Sequence, residues 1–152
     1  MDFLQKWWAF VATRGDQIQV ALMEHSLYLV TVLSAASIFS IGLGILTRKN
    51  VLARELSLAV SSVFLTLPSL ALFTIFIPLV GLGFAPSFIA LFLYSLLPIL
   101  RNTITGLEGI DHSVLEAAKG MGLTPRQVLA TVQLPLAWPV ILAGIRVSSM
   151  LI

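Results

Sequence analysis

The side chains that could do chemistry are few, and they do not assemble into a catalytic set. The 152-residue sequence has no cysteine, which excludes a disulfide framework, a thiolate zinc site and a cysteine nucleophile. Its two histidines, His25 and His112, stand too far apart for metal-ligand spacing. No Ser/His/Asp set and no pair of carboxylates suggests nucleophilic or acid–base catalysis. No Gly-x-x-x-x-Gly-Lys-Ser/Thr loop is present to cradle a nucleotide, and Gly81-Leu-Gly83 is too short to be a nucleotide fingerprint. The chain is therefore expected to be no enzyme, and to hold neither metal nor cofactor itself. Glu108, Asp111 and Glu116 fall in one polar stretch and read as helix caps and a solvated face.

That stretch, residues 101–135, is nonetheless organised. Ser113-Val-Leu-Glu116 fits a capping box, with Ser113 as N-cap and Glu116 reaching back. A helix should follow through Lys119 and stop at Gly120 and Gly122, because glycine accepts the left-handed conformation of a helix stop. Thr124 then starts a second helix, with Pro125 suited to its first position and Gln127 completing another capping box. This helix should run through Val132 and stop near Leu134-Pro135. Val114, Leu115, Ala118 and Met121 give the first helix one apolar side; Val128, Leu129 and Val132 do so for the second. Such a helix–turn–helix knuckle could pack on its own bundle or present a surface to a partner, and the residues alone leave both open.

The elements that must hold this knuckle are membrane spans. Hydrophobic residues make up 58% of the chain and charged ones 11%, against roughly a quarter charged in soluble domains. A protein this small cannot bury so much apolar surface in one core. Uncharged runs place spans at 27–46, 56–80 and 84–100, with a fourth run from 136 to 152 that contains Arg146. The fold class expected is all-α, a polytopic transmembrane helix bundle. The link after span one carries Arg48, Lys49 and Arg54, and the long loop carries Arg101, Lys119 and Arg126, whereas Gly81-Leu-Gly83 carries no charge. The positive-inside bias makes the two basic links cytoplasmic and the N-terminus external. No basic stripe interleaved with aromatics indicates nucleic acid.

Several features keep two readings. Residues 1–26 lack a signal-peptide pattern; Phe3, Trp7 and Phe10 at helical spacing suggest a short helix on the outer membrane surface, against a disordered leader. Ala36, Ser40 and Gly44 form a small-residue stripe suited to close helix packing. Pro68, Pro78 and Pro98 free backbone carbonyls, as kinks or as broken helices lining a path. Arg146 is an intramembrane charge with either a role in transport or a snorkelling side chain.

Glu116-Ala117-Ala118, then Gly122, then Val132-Gln133-Leu134-Pro135 resemble the Glu-Ala-Ala signature of ATP-binding-cassette importer permeases, with Val132 in place of the usual isoleucine. The resemblance implies the MetI-like type-I importer permease fold, with cytoplasmic coupling helices. It implies that Glu116, Ala117, Ala118 and Gly122 form the knuckle that docks on a separate ATPase, and that Leu134 and Pro135 set the return to the next span. Thr66-Leu-Pro68-Ser-Leu-Ala-Leu, Ile77-Pro-Leu-Val-Gly81-Leu-Gly83 and Leu93-Tyr94-Ser-Leu-Leu-Pro98-Ile-Leu-Arg101-Asn102-Thr103 look like permeases for glycine betaine, choline, carnitine and related quaternary amines. The resemblance covers roughly residue 20 to the end. It implies as partners an ATPase subunit that binds ATP, an extracytoplasmic solute-binding protein, a second or sister permease, and the lipid of a bacterial inner membrane. No residue is assigned to the substrate. The same architecture serving another solute, such as an amino acid, and a non-transporting structural or regulatory membrane protein are the alternatives. Because the fourth run ends at Ile152 with no polar flank, the chain is expected to be C-terminally truncated.

Overall fold

The computed structural model describes residues 2–152. Among them there is helix and no strand. The elements are α1 (Asp2–Thr13), α2 (Gly15–Thr47), α3 (Val51–Thr66), α4 (Ser69–Val80), α5 (Phe84–Glu108), α6 (His112–Gly120), α7 (Pro125–Gln127), a π-helical turn (Val128–Gln133) and α8 (Leu134–Ser149). The chain divides into two compact units, one ending at Thr31 and one running from Val32 to Ile152.

In the first unit, α1 is helical over the stretch that carries Phe3, Trp7, Trp8 and Phe10, all of them exposed. The Arg14 guanidinium lies 4.7 Å from the centre of the Phe10 ring. The helix of span one begins at Gly15, twelve residues before the uncharged run. Asp16, Glu24 and His25 end an apolar run but do not end a helix; no proline or further glycine interrupts the backbone until Gly42. Helix α5 likewise continues past Arg101 to Glu108, with no proline after Pro98 to end it, so the polar loop expected over 101–135 is much shorter in the structure.

In the second unit, α5 is the central helix, and α8 packs along it. Leu107, Ala137 and Ile141 form the core cluster, with Ile41, Ile45, Leu129, Leu134 and Ile145 against it. The small-residue stripe of α2 is buried as expected: Val32, Ala36, Ser40, Gly44 and Thr47 face inward. A Cβ on Gly44 would come within 2.8 Å of Thr103 Cγ2, so only glycine permits this approach of α2 to α5. Interhelical hydrogen bonds supplement the close packing. Ser40 Oγ donates to Leu96 O at 3.4 Å and Ser148 Oγ to Ser95 O at 3.0 Å. Bonds of this kind contribute about 0.6 kcal/mol each in membrane proteins, so the fit of small residues carries more of the energy.

Span two is not one helix. α3 and α4 meet at Leu67-Pro68 with a bend of 98°. Proline cannot donate and forces the residue before it to extended geometry, and Leu67 lies at φ −75°, ψ 140°. The Leu67 carbonyl, left without a helical donor, accepts from the Tyr94 hydroxyl on α5. Pro78 and Pro98, by contrast, sit inside α4 and α5 without breaking them.

Two polar contacts settle which ends lie together. Arg54 at the start of α3 is ion-paired with Glu108 at the end of α5, and Arg48 just past α2 donates to Gln133 at the root of α8. The two basic links therefore share one end of the unit. Phe84, the start of the 25-residue α5, lies at the other end. The bent α3–α4 pair then runs from one end of the unit to the other, as a broken span does. Among the described residues three helical runs, α2, α5 and Pro125–Ser149, are long and apolar enough to cross a membrane, and the α3–α4 pair taken as one broken span makes four.

Candidate functional site

At the basic end, α6 and α7 form the knuckle. The cap of α6 lies two residues before the expected Ser113. Asp111 is the N-cap, and its Oδ1 accepts from Ser113 N at 2.8 Å and from Ser113 Oγ at 2.7 Å. A carboxylate caps better here because it also opposes the positive helix N-terminus, so Asp111 outcompetes the serine hydroxyl. Glu116 is thereby free of a capping role; its carboxylate lies 3.4 Å from His112 Nδ1, with both side chains exposed.

The hydrogen bonds from Ser113, the hydroxyl's first, hold the Asp111 carboxyl below its ordinary value of 3.8. A depressed acid stabilises the fold fully above its unfolded pKa, and that contribution is lost as pH falls through the folded value. A carboxyl-carbon NMR titration of Asp111 is expected to have its midpoint below 3.8, and α6 should fray in the same interval. A midpoint at or above the ordinary value, or fraying that persists in Asp111→Asn, would contradict this cap.

The stop between the helices falls where it was expected. Gly122 has φ +80°, and Gly122 N donates to Lys119 O at 2.9 Å while Leu123 N donates to Ala118 O at 3.3 Å. These two bonds are a Schellman cap, which needs a left-handed residue at its turn. Thr124 then starts α7 with the expected reciprocal capping box: Thr124 N donates to Gln127 Oε1 at 2.8 Å, and Gln127 N to Thr124 Oγ1 at 3.4 Å.

The expected stop at Leu134-Pro135 does not occur. The backbone passes from α7 through the π turn into α8 as one continuous helical run, Pro125–Ser149. Leu134 N donates to Leu129 O, five residues back. Widening the turn to this register accommodates the donor missing at Pro135 without breaking the helix. The spacing of residues contained that proline, but not the choice between a stop and a π turn.

The six signature positions therefore separate spatially. Glu116, Ala117 and Gly122 are exposed on the knuckle, Ala118 is turned inward, and α6 packs on the π turn. Leu134 packs on the core cluster, and Pro135 is exposed one residue further on. Missed from the sequence were Arg48, Arg54, Glu108 and Gln133, which tie the root of the knuckle to the α2–α3 link; their pairing spans more than fifty residues, and no local pattern signals it. Arg146 is exposed on the side of α8 away from Ile141, Gly144 and Ser148.

The family described as "binding-protein-dependent transport system inner membrane component" matches residues 36–152. The choline transport system permease protein OpuBB of Bacillus subtilis is 39% identical over 140 residues, which cover 92% of this chain and 64% of that protein. The glycine betaine/carnitine/choline transport system permease protein OpuCD of the same organism is 41% identical over 151 residues, 97% of this chain and 65% of its own length. The osmoprotectant import permease protein OsmY of Salmonella typhimurium is 50% identical over 84 residues, 55% of this chain and 36% of its own. The chain thus spans about 64% of the length of the first of these curated relatives.

Proposed function

The chain belongs to the family of binding-protein-dependent transport system inner membrane components, and on that premise we propose that it is a permease subunit of an ATP-binding-cassette importer for quaternary-amine osmoprotectants. The solute class rests on the similarity to permeases described for choline, glycine betaine and carnitine. The observation that carries the coupling role is the knuckle itself. Glu116, Ala117 and Gly122 are presented on an exposed helix and turn, capped at both ends, at the end of the bundle that gathers Arg48, Lys49, Arg54, Arg101, Lys119 and Arg126. That basic end faces the cytoplasm by the positive-inside bias, so the N-terminus lies outside and α1 rests on the outer surface.

In this reading a separate ATPase subunit binds and hydrolyses ATP and grips the knuckle. A solute-binding protein delivers solute from outside, and a second permease copy or a sister permease completes the pathway. Displacement of the knuckle passes to α8 through the unbroken run Pro125–Ser149, and from α8 to α5 through their packed faces. ATP then favours one access state only by as much as the ATPase holds the knuckle differently in the two states.

Glu116→Lys in the complete importer is expected to cut ATP-driven uptake by about tenfold, within the usual range of coupling free energies. The amount of inserted permease should stay the same and ATPase co-purification should fall. Normal uptake together with normal co-purification would remove Glu116 from the coupling surface. Solute identity is tested separately, by stimulation of ATPase activity with choline, glycine betaine or carnitine on the cognate binding protein.

A further inference from the structure

Behind the knuckle lies an open-mouthed cavity of about 380 Å³, bordered by the α2–α3 link, the end of α5, α6 and the π turn. This is within the size range of small-ligand sites, roughly 300–1,000 Å³. Its wall carries Arg48, Lys49 and Lys119 against a single carboxylate, Glu108. Glu108 is already committed to Arg54, and Arg48 is held by Gln133. Among the described residues no carboxylate comes within 4.0 Å of Lys49 or Lys119, so two lysines from separate elements border one concavity without an ion-pair partner of their own. Much of the remaining wall is aliphatic, with Leu115 part of it. The cavity lies at the level where α2 passes from its apolar run, ending at Leu46, to Arg48.

We propose that this cavity binds a phosphate-type anion, with Lys49 and Lys119 as its two charge partners and the Arg48–Gln133 pair fixing the wall between them. Two ammonium donors converging on one anion give charge-assisted hydrogen bonds, and a phosphodiester with an apolar tail also suits the aliphatic part of the wall. The source of that anion is either an anionic phospholipid headgroup or free phosphate. An occupant would touch α6 and the π turn at once, so binding would stiffen the root of the knuckle. The site depends on charge and shape alone and is independent of which solute is carried.

The test uses the complete importer in detergent, with lipid retention read by native mass spectrometry. Dioleoyl phosphatidylglycerol is expected to be retained over dioleoyl phosphatidylcholine. Lys49→Gln combined with Lys119→Gln should weaken that retention by roughly tenfold or more, from about 1 kcal/mol per basic residue at the headgroup level. Arg101→Gln combined with Arg126→Gln, an equal loss of charge outside the cavity wall, should not. Inorganic phosphate at matched ionic strength separates the sources: displacement of phosphatidylglycerol at millimolar phosphate assigns the site to free phosphate, and failure to displace assigns it to the headgroup. Retention of both lipids alike, unchanged by the double substitution, would overturn the proposal. So would loss of the ATPase subunit from the double variant with lipid retention intact, because the two lysines would then serve an acidic protein partner.

Discussion

Gly144→Val is expected to be among the most damaging single substitutions in the bundle, lowering stability by up to about 3 kcal/mol. A Cβ at Gly144 would lie 2.7 Å from Pro98 O and 2.7 Å from Asn102 Cβ. The first of these is backbone of the central helix and cannot rotate aside. The second belongs to a side chain whose Nδ2 donates to the same Pro98 carbonyl at 2.8 Å. Relief therefore requires α8 to move away from α5. That movement would loosen Ala137, Ile141 and Ser148, the other buried residues on that face of α8, and stretch the Ser148–Ser95 hydrogen bond. In a membrane no water-driven force pushes the helices back together, because lipid is as apolar as the faces that separate. Gly42→Ala is the control: nothing lies within 4 Å of its added Cβ. A denaturant titration of the protein in micelles should show a large drop for Gly144→Val and little change for Gly42→Ala. An unchanged midpoint for Gly144→Val would mean that the α5–α8 contact is not as close as described.

Gly122→Val is expected to abolish most coupling by a different route. Space is not the obstacle, since a Cβ there meets nothing within 4 Å. The obstacle is φ +80°, where an L-residue pays roughly 1–2 kcal/mol and a β-branched one more. If the backbone leaves that region, the two Schellman bonds to Lys119 O and Ala118 O are lost and the angle between α6 and α7 is no longer set. Asparagine tolerates the left-handed region better than other non-glycine residues. Uptake by the complete importer should therefore rank Gly122 above Asn, Asn above Ala, and Ala above Val, while Gly120→Ala, at ordinary φ with nothing within 4 Å, should stay near wild type. Val equal to wild type, or Asn as poor as Val, would show that turn geometry is not what Gly122 supplies.

Thr124 and Gln127 were legible as a cap because every atom involved lies within four residues. Asp111 is legible as a cap or a solvated acid, but Ser113 and Glu116 fit a tighter capping template, and only the structure chooses between them. Leu134-Pro135 reads as a stop because proline removes one donor, and the chain has two ways to answer that. At Leu67-Pro68 the helix breaks and Tyr94 satisfies the loose carbonyl; at Pro135 the turn widens and the helix continues. The difference lies in what packs nearby, which no window of residues contains.

The sequence by itself determined the all-α membrane bundle, the inward stripe Ala36, Ser40 and Gly44, the glycine stop at Gly122 and the family signature around Glu116. These depend on composition, on periodicity along one helix and on bonds between near neighbours. Only the tertiary structure decided that α3 and α4 make a broken crossing, that α7 runs unbroken into α8, and that Arg48, Lys49, Glu108 and Lys119 share one cavity. Those outcomes depend on contacts between separate elements, from 27 residues apart for Leu67 and Tyr94 to 85 for Arg48 and Gln133, where the energy depends on which faces meet. A linear pattern records which side chains are available; the fold selects which of them are brought together.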